Sequence, residues 1–280
     1  ATKKDVISLG VGEPDFATPW NIVDAAFYNM KMGRTHYTSN FGLLEFRKEV
    51  GEYLKKYDLD YGPDEIIATI GGSEGIDLAL RSIINPGDEI IVPEPVYVPY
   101  RPLSELTGAT VVGIDTSKTE FKVDAKELEK LITPKTKAII LCYPNNPTGI
   151  TMPYEDLKAV AEVVKKHEIW VITDEIYSEL TYVGEHTSIA SFPGMKERTI
   201  YLNGFSKAFA MTGWRIGYIC GPKELIQQMV KIHQYTTLCA PIISQYGAIE
   251  ALKNSIPDML SMRDSFARRR RLIFEGFKGL

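Results

Sequence analysis

The most informative stretch of the chain reads NGFSKAFAMTGWR, residues 203–215, and contains Lys207 and, eight positions later, Arg215. The lysine follows a predicted strand and lies in a short, mostly apolar loop. Such a setting removes water from an ammonium group and lowers the pKa of a lysine from its usual ~10.4 toward neutrality. A neutral lysine amine forms imines with aldehydes, and arginine suits a phosphate. An aldehyde and a phosphate on one molecule indicate pyridoxal 5′-phosphate (PLP); the alternative is a surface lysine beside a structural arginine.

A second stretch, TDEIY over residues 173–177, directly follows the apolar run IWVI and places Asp174 at the end of a predicted buried strand. Ligands of open α/β sheets bind beyond the carboxyl ends of the strands. A carboxylate there can keep a pyridine nitrogen protonated, which turns the ring into an electron sink. Tyr177 could donate to the phenolate oxygen of the same ring. The alternative is an aspartate that only caps the following turn.

Two further segments follow predicted strands. YPNNPTG, residues 143–149, is a rigid loop that presents the amide of Asn146. GGSEG, residues 71–75, opens a predicted helix, where glycine permits close approach and free N–H groups attract an anion. It is not a phosphate loop of the GxxxxGK[ST] type. The earlier Gly10 and Gly12 do not form a dinucleotide fingerprint, because Asp15 stands where the third glycine is needed.

Together and in this order, these segments resemble the class I/II aminotransferases of the fold-type I PLP enzymes, and the resemblance covers essentially the whole chain. It implies that Lys207 is the Schiff-base lysine, that Asp174 pairs with the ring nitrogen, and that Tyr177 and Asn146 contact the ring hydroxyl. These three roles make Lys207, Asp174 and Tyr177 the expected catalytic residues. No metal site is expected.

The resemblance also implies the remaining cofactor and substrate contacts. The phosphate would be held by Arg215 and Ser206 and by the turn formed by Gly72, Ser73 and Glu74. Tyr97 would stack on the ring, and Tyr37 would reach the phosphate of a neighbouring subunit, which implies a homodimer. Gly12 and Asn146 would contact the substrate.

Two departures from the family pattern stand out. Gly204 occupies a position where many relatives have a hydroxyl residue that touches the phosphate. The sequence printed here ends at Leu280, and we expect the C-terminal small domain, with the arginine that binds the substrate carboxylate, to be missing from it. Arg263 and the run from Arg268 to Arg271 belong to a predicted linking helix and are not substitutes.

The expected activity is transfer of an amino group between an L-amino acid and a 2-oxo acid. A PLP-dependent carbon–sulfur β-lyase uses nearly the same residues and is the first alternative. A PLP-binding fragment without turnover is the second, and a nicotinamide dehydrogenase is a poor third because the glycine fingerprint is absent. The motifs are compatible with aspartate, aromatic, alanine-type and diaminopimelate-type substrates.

Strands alternate with helices from about residue 66, which predicts a three-layer α/β fold with a mostly parallel sheet of about seven strands. The predicted strands are 66–70, 89–92, 110–114, 138–142, 170–173, 199–202 and 215–220. The last two are joined only by the lysine loop, which is too short for a crossover, so one strand should be antiparallel. The predicted helices are 73–84, 98–107, 126–131, 154–166, 224–235, 243–252 and 255–277. We expect residues 1–34 to begin the small domain, 35–254 to form the PLP-binding domain and 255–280 to form an interdomain helix.

Composition limits the other possibilities. The chain has 280 residues, 44% of them hydrophobic and 24% charged, and a net charge of −4, which gives no general attraction to nucleic acid or to anionic membranes. Its three cysteines are far apart in sequence, and buried free thiols suit a reducing cytoplasm. Its four histidines lack metal-ligand spacing, and no apolar run approaches the ~18–20 residues of a membrane span.

Overall fold

The computed structural model describes Gly10 and residues 12–279. Residues 1–9, 11 and 280, which belong to the two predicted terminal segments, lie outside the described residues. The described chain contains a sheet of seven strands in the order β1–β7–β6–β5–β4–β2–β3. The strands are β1 (Ile66–Thr69), β2 (Glu89–Glu94), β3 (Thr110–Asp115), β4 (Thr136–Cys142), β5 (Trp170–Asp174), β6 (Thr199–Gly204) and β7 (Gly217–Cys220).

Strand β7 is the one that runs against its neighbours. It pairs antiparallel with both β1 and β6, with Leu202 opposite Ile219, whereas the other neighbouring pairs are parallel. This confirms the predicted mixed sheet with one antiparallel strand. The strand begins two residues later than predicted, because Arg215 has a left-handed backbone (φ 52°) that cannot continue a strand.

Helices cover both faces of the sheet. They are α1 (Trp20–Lys31), α2 (Leu44–Leu54), α3 (Gly71–Ile83), α4 (Tyr100–Leu106), α5 (Ala125–Leu131), α6 (Tyr154–His167), α7 (Lys223–Thr236), α8 (Ile242–Asn254) and α9 (Ile256–Gly276). Helices α1 and α2 were not predicted. The division at residues 34 and 254 stays a prediction; α1, in the first segment, packs against α8 of the second.

The central strands are largely apolar because they are covered on both faces, whereas the edge strand β3 is partly exposed. In β4, Ala138 and Ile140 join the core under α3, α4 and α7, whereas Ile139 and Leu141 join the core under α5 and α6. A third core lies between α2, α8 and the β1–β7–β6 side of the sheet. Side chains of a strand alternate between faces, so a strand with two covered faces must be apolar at every position.

This topology brings the predicted motifs to one edge of the sheet. Strands β2, β4, β5 and β6 are parallel, so the loops that follow them leave the same edge. The antiparallel β7 begins at that edge, and Arg215 lies immediately before it. Chain segments far apart in sequence therefore meet beyond the carboxyl ends of the strands.

Candidate active site

A cavity of about 460 Å³ opens at this edge of the sheet, which is within the range of small-molecule sites. All the predicted site residues except Tyr37 and Glu74 line it. They are Gly12, Gly72, Ser73, Tyr97, Asn146, Asp174, Tyr177, Ser206, Lys207 and Arg215. The residues that were selected from separate motifs therefore share one cavity.

Lys207 is half-buried, and its amine faces this cavity. Its Nζ donates a hydrogen bond to the carbonyl oxygen of Gly12 at 2.7 Å and lies 5.9 Å from the centre of the Tyr177 ring. Burial lowers the pKa of Lys207; the charge of Arg215 lowers it further, while Glu13 and Asp174 oppose the change. The amine is therefore more readily deprotonated than that of an exposed lysine.

Asp174 is the last residue of β5 and is only 6% exposed. Its Oδ1 accepts the backbone N–H of Ile176 at 3.1 Å, and its Oδ2 accepts the hydroxyl of Tyr100 at 2.8 Å. Burial raises the pKa of Asp174, whereas these two hydrogen bonds and the charge of Lys207 lower it. The two donors fix the plane of the carboxyl group at the cavity wall.

Tyr177 and Asn146 meet on one wall of the cavity. The side-chain amide of Asn146 donates to the hydroxyl of Tyr177 over 3.4 Å, a long hydrogen bond. Burial raises the pKa of Tyr177 to about 12, so its hydroxyl keeps its proton at neutral pH and can donate. Nearby, the ring of Tyr97 meets the ring of Tyr100 edge-on, with centroids 5.6 Å apart.

The other end of the cavity is suited to an anion. Helix α3 begins at Gly71, and the first N–H groups of a helix have no partner within it. The guanidinium of Arg215 lies over this turn, so that a Cβ on Gly71 would be 2.7 Å from Nη2. Arg215 Nη1 is oriented by the carbonyl oxygen of Thr212, to which it donates at 3.1 Å. A positive side chain and a helix N-terminus thus converge, as at many phosphate sites.

Gly204, where the resemblance leads one to expect a hydroxyl residue, has little space for a side chain. A Cβ built there would lie 3.1 Å from the Cα of Gly217 and 3.1 Å from the carbonyl oxygen of Ile216. A larger residue would require the facing backbone of β7 to shift by a few tenths of an ångström. The loss of one phosphate contact at this position stays a prediction.

Two predicted residues do not line the cavity. The carboxylate of Glu74 turns away from it: Oε2 accepts the backbone N–H of Ile70 at 2.5 Å, and Oε1 shares a hydrogen bond with Nδ1 of the buried His233 at 2.8 Å. Tyr37 is 83% exposed. Glu74 is predicted to contact the phosphate through its backbone, and Tyr37 is predicted to contact the phosphate of a neighbouring subunit. Both contacts stay predictions.

Sequence reasoning missed several residues of the cavity wall, namely Gly10, Ile76, Tyr100, Cys142, Ile176 and Thr212. The register of the sheet explains why Cys142 lines the cavity: it ends β4 directly beside Asp174, which ends β5. Tyr100 lies three residues after Tyr97 at the start of α4, a spacing that places both rings near one helix turn. That spacing was the only signal in the sequence that pointed to Tyr100.

The donor set fits PLP. A half-buried amine suits the aldehyde, a buried carboxylate suits the ring nitrogen, a protonated phenol suits the ring oxygen, and the α3 N-terminus with Arg215 suits the phosphate. Within residues 12–279 no three side chains of His, Cys, Asp or Glu are grouped so that they could hold a metal ion. In the same part of the chain, no helix is both long enough and apolar enough to span a bilayer.

Comparison with known proteins agrees with this geometry. The model of the family "Aminotransferase class I and II" matches residues 4–280. The Bacillus subtilis protein YugH, whose name refers to an aminotransferase, is 50% identical over 278 residues, which cover 98% of this chain and 72% of YugH. The aspartate aminotransferase of Pyrococcus abyssi is 41% identical over 281 residues, which cover 98% of this chain and 72% of that enzyme.

Solved structures agree as well. The aspartate aminotransferase of Rhizobium meliloti has a TM-score of 0.95 and 35% identity, and the match covers 99% of this chain and 70% of that one. These relatives are named for amino transfer, so the carbon–sulfur lyase alternative is not favoured. Because the family model spans nearly the whole chain and full-length relatives share its sequence and fold, the chain belongs to the class I and II aminotransferases and is a PLP-dependent enzyme that transfers amino groups.

Proposed function

We propose that Lys207 is the residue that bonds to the cofactor aldehyde and that moves a proton during transfer of an amino group between an L-amino acid and a 2-oxo acid. One observation carries this assignment: the Lys207 amine and the Asp174 carboxylate lie on the walls of the same cavity. When bound, PLP supplies an electron-withdrawing ring that stabilises negative charge at the α-carbon of the amino acid.

Lys207 is suited to act as a base. Its lowered pKa increases the fraction of uncharged amine near neutral pH, and an uncharged amine can accept the proton of the substrate α-carbon. The hydrogen bond to the carbonyl oxygen of Gly12 holds Nζ beside the segment proposed to meet the substrate carboxylate. Once protonated, the same Lys207 amine would be able to give that proton back during the transfer.

Asp174 is suited to hold a proton on the ring nitrogen. Its carboxyl plane is fixed by two donors, and a negative charge in a buried position strongly favours a positive partner. Tyr177 and Asn146 would donate to the ring oxygen, and Tyr97 would stack on the ring. Asn146 and Gly12 would also contact the substrate.

The phosphate is proposed to lie at the anion-binding end of the cavity. Arg215 and the hydroxyl of Ser206 would contact it, together with the backbone of the turn formed by Gly72, Ser73 and Glu74. The convergence of Arg215 with the first turn of α3 supports this placement. These contacts fix the cofactor but move no proton, so their loss should weaken affinity more than turnover.

The finer biological context is also a proposal. The 83% exposed Tyr37 is available to a second copy of the chain, which supports a homodimer in which Tyr37 reaches the phosphate of the neighbour. Cys142, Cys220 and Cys239 are free thiols, and this supports a reducing, cytoplasmic location. The net charge of −4 supports small-molecule partners rather than nucleic acid.

The experiment that tests the assignment is covalent trapping. The purified chain is incubated with PLP, reduced with borohydride and digested, and the modified peptide is identified by mass spectrometry. We expect the cofactor on Lys207, no such peptide from Lys207→Ala, and unchanged trapping in the control Lys223→Ala, whose amine pairs with Asp64 on the surface. Modification of another lysine in the wild-type chain, with Lys207 unmodified, would contradict the proposal.

A further inference from the structure

Tyr100 is a completely buried tyrosine whose hydroxyl reaches the active-site cavity. It is 0% exposed and begins α4, and its hydroxyl donates to Oδ2 of Asp174 at 2.8 Å. The hydroxyl of Ser104 donates to the backbone carbonyl of Tyr100 at 2.8 Å and fixes this turn of the helix. This hydrogen bond within α4 fixes the backbone from which the phenol ring projects toward Asp174.

The same residue supports a second wall of the cavity. The ring of Tyr100 meets the ring of Tyr97 at an interplanar angle of 81°, an edge-to-face contact that aromatic pairs favour. Tyr97 is the residue proposed to stack on the cofactor. Tyr100 thus contacts one proposed cofactor residue through its hydroxyl and another through its ring.

The charges around Asp174 show why a donor is needed there. Asp174 is buried, the adjacent carboxylate of Glu175 raises its pKa further, and the charge of Lys207 lowers it. Burial raises the pKa of Tyr100 well above its usual value, so the phenol keeps its proton and can only donate to the carboxylate. A donated hydrogen bond favours the ionised carboxyl form.

We infer that Tyr100 is a positioning residue for amino transfer, whose hydroxyl keeps the Asp174 carboxyl group ionised and correctly oriented at the cavity wall. Its importance for turnover rests on the proposed role of Asp174. A purely structural tyrosine would fill the same space through its ring alone. The hydroxyl is therefore the group that the experiment must isolate.

The test compares Tyr100→Phe with Tyr61→Phe. Tyr61 is also buried, but its hydroxyl has no hydrogen-bond partner in the described part of the chain. Carboxyl-labelled aspartate is introduced into the cofactor-free protein, the signal of residue 174 is assigned by its loss in Asp174→Asn, and its pKa is measured by carbon NMR. We expect Tyr100→Phe to raise this pKa by about one unit, a tenfold change in the ionisation equilibrium. A pKa equal to that in Tyr61→Phe would overturn the inference.

Kinetics of the PLP-loaded protein provide a second readout. Tyr100→Phe should lower kcat about tenfold and leave KM within about twofold, because a hydroxyl that acts through Asp174 does not touch the substrate. Tyr100→Leu should in addition weaken PLP affinity, because Tyr97 loses its edge contact. Unchanged kcat in Tyr100→Phe would also overturn the inference. Full turnover of Asp174→Asn would instead refute the proposed role of Asp174, while the NMR result in the cofactor-free protein would still test Tyr100.

Discussion

The amine of Lys207 is influenced by opposing charges on either side of the cavity. Burial is the largest influence and lowers its pKa, Arg215 lowers it further, and the carboxylates of Glu13 and Asp174 raise it. Glu13 is held near the loop by the hydroxyl of Thr212, which donates to Oε2 at 3.1 Å. Besides burial, the pKa of Lys207 therefore depends on charges from the N-terminal segment and from the loop that leads into β7.

This balance predicts how cofactor capture depends on pH. The rate at which cofactor-free protein reacts with pyridoxal should rise with pH as Lys207 loses its proton, with a midpoint below the 10.5 of an ordinary lysine. Glu13→Gln removes a stabilising charge and should lower the midpoint, whereas Arg215→Met removes a repulsive charge and should raise it. Stopped-flow absorbance measures the rate, and pyridoxal is used because it lacks the phosphate that Arg215 would bind. Shifts in the same direction for both variants would contradict this account.

Single residues differ in how readily the sequence revealed them. Lys207, Asp174 and Asn146 lie at or shortly after the ends of predicted buried strands. A polar residue in such a place is expected at the edge of the sheet where ligands bind. Tyr100 lies in an ordinary helical segment, and only the packing of α4 brings its hydroxyl to Asp174. A contact between residues 74 positions apart depends on the relative placement of two elements, which local sequence does not contain.

The turn between β1 and α3 is the element that joins the phosphate end of the cavity to the sheet. Gly71 has a left-handed backbone, with φ 71°, and the missing side chain leaves space for the guanidinium of Arg215. Arg215 itself has φ 52°, a conformation that is costly for a residue with a side chain. Gly71 follows β1 and Arg215 precedes the neighbouring β7, so these two left-handed conformations bring the arginine and the helix N-terminus together.

Gly71→Ala should therefore weaken phosphate binding. Its Cβ would lie 2.7 Å from Arg215 Nη2 and would displace the guanidinium, and the left-handed backbone should cost about 1–2 kcal/mol of unfolding free energy. We expect a larger loss of affinity for PLP than for pyridoxal, measured by fluorescence titration, and a lower midpoint in urea. Gly213→Ala, near Arg215 but with nothing within 4 Å of its Cβ, is the control. Equal losses for PLP and pyridoxal would exclude the phosphate explanation.

Secondary structure was predictable where hydrophobic periodicity was strong. The central strands and α6 follow the predicted ranges closely, because buried strands must be apolar on both faces and α6 has one apolar face. Helix α2 was missed although Phe46, Val50 and Leu54 repeat every four residues. Helix α2 precedes β1, so it lies outside the alternation of strands and helices that identified the later elements. Strand order was not predicted, since it depends on which strands meet in space.

At the scale of the whole molecule, the single chain exposes several large apolar and aromatic side chains. They include Trp20, Phe27 and Tyr28 on α1, together with Tyr37 and Tyr235. The proposed homodimer provides a specific use for one of these residues, because Tyr37 would complete the phosphate site of the partner.

A mixed-chain experiment tests that use directly. Tyr37→Phe should weaken PLP binding at Lys207 about tenfold, as expected for one hydrogen bond to a charged group. Differently tagged Tyr37→Phe and Lys207→Ala chains are combined into a mixed dimer. Only the Tyr37→Phe chain then keeps Lys207, and its neighbour, the Lys207→Ala chain, keeps Tyr37. The PLP affinity of the site that keeps Lys207 should return to the wild-type value.

The matched control pairs a wild-type chain with a chain carrying both substitutions. The one site that keeps Lys207 then has no Tyr37 from its neighbour and should bind PLP weakly. If Tyr37 serves the site of its own chain, the two mixed dimers will show the opposite affinities, because the tyrosine then stays with the lysine in the control and is absent from the first pair.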